Sequence, residues 1–177
     1  EYSGPLPSKP QEFNISSSLA VTYDLALGEA DRSPAALAEK SAAASQAAGE
    51  IPGMLQRGDF AGALARTNEA LLADPDNATL LDWKGYALFR LGDFAAAEAP
   101  LRRAIEINAT QPGAHMVLGG VLSGLDRKAE AIPELRRELE MSTDPVVQQN
   151  CRVTIGRLQA ELKLNDDAIA TYEAVLA

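Results

Sequence analysis

His115 and Cys151 are the chain's single histidine and single cysteine, and they are the residues best suited to nucleophilic or acid–base chemistry. A thiol needs a base nearby to become a working nucleophile. Cys151 has no base close in sequence, and His115 would have to reach it through the fold. A free cysteine is otherwise a common small hydrophobe, and one cysteine allows no intramolecular disulfide. Neither residue type is paired at a spacing that suits zinc. Carboxylates gather at Asp74/Asp76, Glu138/Glu140 and Asp166/Asp167. Their spacing matches no calcium loop. Asp166 and Asp167 open a helical stretch, where the helix dipole favours negative charge. No Gly-x-Ser-x-Gly elbow or phosphate-cradling glycine loop is present. Leu118-Gly119-Gly120 lies within a helical pattern. Asn14, Asn77 and Asn108 open Asn-x-Ser/Thr triplets. Two of these fall in turns, where Asn is expected for its backbone preferences. The residues predict a non-enzymatic protein with no metal and no cofactor.

Composition narrows the partners. The net charge is −9. An acidic chain lacks the clustered positive charge that non-specific nucleic-acid binding requires. It is equally unsuited to anionic membrane surfaces. No apolar stretch is long enough to span a bilayer; Leu19 to Leu27 is short and contains Asp24. The chain opens on Glu1-Tyr2-Ser3-Gly4 without Met. The expectation is an exported protein, periplasmic or membrane-anchored, over a cytoplasmic one.

Positioning falls to helices. Hydrophobic residues make up 46% of the chain and aromatics 5%, with alanine, the strongest helix former, prominent. Residues 1–17 carry Pro5, Pro7 and Pro10 and predict an extended segment. Residues 18–43 predict N-terminal helices, one over 19–30 and one restarting at Ser33-Pro34 and running to Ala48. Gly49, Pro52 and Gly53 predict a break, followed by a short turn of helix from Met54 to Arg57. Seven further helices are expected over 60–73, 79–91, 94–107, 112–125, 127–141, 146–162 and 166–177. Pro100 and Pro133 fall inside two of them and predict bends.

A 34-residue period runs through these helices. Gly58-Asp59-Phe60 recurs as Gly92-Asp93-Phe94, and Asp126-Arg127-Lys128 fills the same slot one period later. Ala63, Ala97 and Ala131 fall in register. A fixed period in this range marks a stacked-repeat solenoid. The pattern of Gly85, Ala97, Leu101 and Ala104, then Leu118-Gly119 and Ala131-Ile132, resembles the tetratricopeptide repeat family. In it His115 fills a slot the family gives to a bulky core residue. The resemblance covers residues 44–177, with repeats at 44–77, 78–111, 112–145 and 149–177. It implies an all-α, right-handed superhelical solenoid of antiparallel helix pairs. Each hairpin buries its apolar face against its neighbours.

The resemblance also implies a groove lined by the first helix of each repeat. Its residues would be Asp82, Tyr86, Phe89 and Arg90 in the second repeat. They would be Met116, Gly120 and Ser123 in the third, and Val153 and Arg157 in the fourth. Aromatic and Arg side chains are the usual anchors of protein interfaces. Trp83 and Val117 stand where some members place the polar residues that clamp a partner's C-terminal carboxylates, which argues against that mode. The expected function is a scaffold or adaptor binding a peptide or helix of a partner protein. An accessory role in a bacterial envelope assembly, such as a pilus or secretion machine, is the narrower form. The alternative is a regulatory or oligomerisation domain of a larger enzyme or signalling protein. Self-association through the face of the last helix is a further expectation.

Overall fold

The computed structural model describes residues 34–176. Contacts separate two units, Glu1–Lys40 and Ser41–Ala177. The expected segment over residues 1–17 and the helix over 19–30 lie outside the described residues.

Eight helices follow one another among the described residues: α1 Pro34–Arg57, α2 Phe60–Leu71, α3 Ala78–Leu91, α4 Phe94–Ile107, α5 Ala114–Gly124, α6 Lys128–Met141, α7 Pro145–Glu161 and α8 Asn165–Leu176. From α2 onward each packs on the next in sequence, and α3 also packs on α5. Among the described residues the architecture is an all-α stack of consecutive helix pairs.

The Gly-Asp-Phe motif has a specific backbone meaning. Gly58 and Gly92 adopt φ of +79° and +84°, a conformation glycine enters without a Cβ penalty. The next N–H then reaches five residues back: Asp59 to Met54 and Asp93 to Leu88, at 2.9 and 3.0 Å. This is a Schellman closure. The same Asp side chains accept from Gly62 and Ala96 and cap the following helix. One tripeptide thus ends one helix and starts another. The closure survives without glycine in the later hairpins. Asp126 and Lys163 both take φ +60°, and Arg127 N–H reaches Leu122 while Leu164 N–H reaches Gln159. The last of these sits three residues late, as the sequence slip before the fourth repeat requires.

Small-against-large packing holds each pair of helices together. Ala63, Ala97, Ala104 and Ala131 are fully buried. A Cβ on Gly85 would lie 2.3 Å from Leu101 Cγ, and one on Gly119 would lie 2.7 Å from Leu135 Cγ. Leu101, Leu118 and Leu135 fill the resulting layers. In the fourth repeat Tyr172 covers Gly156 in the same manner, yet remains exposed at the end of the stack with Ile169 and Leu176.

One expectation needs correction. The helix does not break at Gly49, Pro52 and Gly53; α1 runs through all three to Arg57. Pro52 is exposed, so its lost hydrogen bond faces water. Its neighbour Ile51 is fully buried in a cluster with Ala47, Ala63, Ala70 and Leu80. Tertiary burial of Ile51 outweighs the local helix-breaking tendency. Helices α4 and α6 likewise run uninterrupted through Pro100 and Pro133.

Candidate functional site: an arginine on an aromatic pedestal

The residues expected to do chemistry take structural places. His115 is buried, and its Nδ1 lies 2.7 Å from Glu134 Oε2 on α6. It pairs with this carboxylate and not with Cys151. Cys151 is buried in the main core cluster. Burial, reinforced by the nearby Glu138 carboxylate, pushes its thiol up to about 11. A thiol held that high is a poor nucleophile at neutral pH. No group of three or more His, Cys, Asp or Glu among the described residues is placed to hold a metal.

The groove residues divide into two kinds. Asp82 is buried, on the inner side of α3. Phe89 lies against Phe94, with ring centroids 5.8 Å apart. A Cβ on Gly120 would come within 3.0 Å of the Phe89 ring, so Phe89 fills the space over Gly120. Phe94 does the same over Gly124. The small residues there serve close packing between the second and third repeats. Met116 packs partly buried against the core, and Ser123 is half-buried.

Tyr86, Arg90, Val153 and Arg157 reach the surface to differing degrees. Tyr86 is half-buried and Arg90 exposed on α3; Val153 and Arg157 are exposed on α7. Arg157 pairs with Glu161 one turn on. Arg90 is held differently. Its guanidinium sits 4.2 Å from the centroid of Phe60. Its Nη1 donates to the Tyr86 hydroxyl at 2.7 Å. Phe60 and Tyr86 meet edge to face, centroids 6.1 Å apart and planes at 87°. Such stacking orients the guanidinium at little entropic cost and leaves donors free.

Several of the other arginines are held by carboxylates. Arg66, Arg102, Arg103, Arg127 and Arg157 each pair with a carboxylate. Arg127 bridges α4 and α6 through Glu98 and Glu130. Among the described residues, no carboxylate pairs with Arg57, Arg90, Arg136 or Arg152, and of these four Arg90 is the one stacked on aromatic rings. Sequence reasoning missed Phe60, the base of this pedestal. The signal was present, because Phe60 and Phe94 share one slot in the period, as do Arg90 and Gly124. The same ring that fills the gap over Gly124 supports Arg90 one repeat earlier.

Similarity to known proteins is consistent with this geometry. The tetratricopeptide repeat family model matches residues 54–121. The crystal structure of MamA protein superposes with a TM-score of 0.67 at 25% identity, over 76% of this chain and 72% of that one. Residues 54–121 are a tetratricopeptide repeat region, and the described helices share the fold of its solved members. Other solved structures share the fold. The OM64 tetratricopeptide domain of Arabidopsis has a TM-score of 0.63 at 20% identity, covering 68% of this chain and 98% of its own. The first such domain of Spaghetti (RPAP3), solved with the HSP90 peptide SRMEEVD, gives 0.63 at 22%, covering 70% and 95%. No curated protein matches the chain. A tetratricopeptide repeat region is a scaffold-type protein-interaction module, and this one presents Arg90 and Tyr86 on α3.

Proposed function

We propose that the face formed by α3, α5 and α7 binds a segment of a partner protein, with Arg90 as its anchor. The observation that carries this is the Arg90 guanidinium, stacked on Phe60, bonded to the Tyr86 hydroxyl and lacking a carboxylate among the described residues. A pre-oriented arginine with free donors suits a partner's carboxylate or backbone carbonyl. The RPAP3 domain, solved with a peptide bound, supports a peptide or helix as the class of partner. The reading is of a non-enzymatic adaptor.

The test is co-purification of the tagged chain, with mass spectrometry to identify the partner, followed by calorimetry. Arg90→Ala should weaken binding by ten-fold or more, the scale of an interface hot spot. Tyr86→Phe, which removes the hydroxyl and keeps the ring, should weaken it less. Equal affinity in both variants and the parent would move the site off this face.

We extend the reading to an accessory protein of a bacterial envelope assembly. Its support is the Ala-rich composition and the Pro- and Ser-rich stretch over residues 1–18. Fractionation of cells expressing the full gene should place the protein with the envelope or periplasm; recovery in the cytosol overturns the extension.

A further inference from the structure

One polar cluster inside the stack is explained by neither packing nor the proposed groove. Asp82 on α3 is 9% exposed and Glu138 on α6 is 3% exposed. Glu138 stands one period after Ala104 and two after Ala70, both fully buried. A carboxylate therefore fills a slot that alanine fills in the preceding repeats. Its Oε1 accepts from the Gly113 N–H at 3.0 Å. The buried Gln111 amide faces Asp82, and its Oε1 is taken by Asn108 Nδ2 at 3.1 Å. Two oxygens remain, Asp82 Oδ1 and Glu138 Oε2. Both are buried with no hydrogen-bond partner among the described residues.

Among the described residues no cation compensates them. The ionisable group acting on Asp82 is Glu138 itself. Cys151, from α7, also feels Glu138 and stays a neutral thiol. His115, at the start of α5, is engaged with Glu134 instead. Two carboxylates stripped of water and without a cation do not both ionise readily. Retaining one proton removes one charge and gives one orphaned oxygen a hydrogen to donate.

We propose that Asp82 and Glu138 form a buried proton-binding site that couples the packing of the second repeat against the third to pH. The observations behind it are the two orphaned oxygens, their burial and the absence of a facing cation. Burial first, then Glu138, raises the Asp82 carboxyl from 3.8 to about 7, with Gln111 opposing the rise. The sign follows by linkage. Between those values the folded chain holds a proton that the unfolded chain has released. The site's stabilisation is therefore complete below the unfolded value. It is lost as pH rises through about 7, and stability from this source is level above that. Strain from the second charge falls on α3, the loop at 108–113 and α6.

Thermal melts of the whole chain at pH 5.5 and pH 8.0 test the site. A His115→Gln background removes the other side chain type that ordinarily titrates in this window. The melting temperature should fall by about 5 °C from the lower pH to the higher. Asp82→Asn in the same background should melt with no such fall. A flat parent profile, or a fall retained in Asp82→Asn, overturns the proposal. If Asp82→Asn does not fold, hydrogen exchange on the unaltered chain decides. After correction for the intrinsic chemical rate, residues 78–91, 108–113 and 128–141 should exchange faster at pH 8.0 while α8 is unchanged. A uniform change, or none, overturns it equally.

Discussion

Gly85→Ala should destabilise the fold by about 1–2 kcal/mol, although alanine is the better helix former by about 1 kcal/mol. The added methyl would stand 2.3 Å from Leu101 Cγ and 2.7 and 3.1 Å from its two methyl carbons. Leu101, on α4, is fully buried in the main core cluster, so its neighbours oppose its displacement. Leu101→Ala should cost more, about 3 kcal/mol, through lost burial and an unfilled cavity. The informative variant is the double one. With Leu101 cut back to Ala, the new methyl at position 85 meets open space and fills part of the hole. The two effects should fall short of additivity by about 1 kcal/mol or more. Chemical denaturation of the four proteins measures this directly. Additive costs would mean that Gly85 and Leu101 are not opposed across the hairpin.

A second large effect is expected at Ile51. It is completely buried on α1 and meets Ala47, Ala63, Ala70 and Leu80. Ile51→Ala should cost about 3 kcal/mol. The loss should be local. Its cluster is separate from the larger one built on Leu101, Leu118 and Leu135. Amides at 47–57 should therefore lose hydrogen-exchange protection while those of α5 and α6 keep theirs. Loss of protection along the whole stack would show that the first repeat is instead coupled to the rest as one cooperative unit.

Ile51 also marks where the sequence was hardest to read. The period made the regular middle legible. Ala63, Ala97 and Ala131 fall in register and all prove fully buried. The helix over 94–107 ends where the pattern placed it, and the other expected helices from residue 60 onward differ at their ends by a residue or two. These features are set by local chemistry: a left-handed glycine, an Asp cap, an alanine facing a leucine. The helix through Pro52 is set otherwise. Three helix-weakening residues stand in five positions, and what overrules them is the burial of Ile51 against residues that follow it in the chain. Nothing in a local window reports that contact.

The surface was legible only in part, for a similar reason. Tyr86 and Arg90 could be placed on one helical stripe by spacing alone. Phe60, from the preceding hairpin, could be joined to them only by superposing periods. Asp82 shares the stripe but points into the stack, because Gln111 at the end of its own repeat and Glu138 from the next close over it. A period predicts equivalent backbones. It does not predict which side of a helix the following unit will cover.

Glu138 carries one more consequence, for the history of the gene. Tandem repeats invite unequal recombination, and interchangeable units can be lost or duplicated with little penalty. The first two units share alanine at the slot where the third has Glu138. The partner acid, Asp82, lies in the second unit, where the units on either side have Ala48 and Met116. Exchanging these units, or deleting one, would separate the two acids and leave a lone carboxylate facing an apolar neighbour. The present order of units is the one that brings the two acids together, so a shuffled stack would lose the pair.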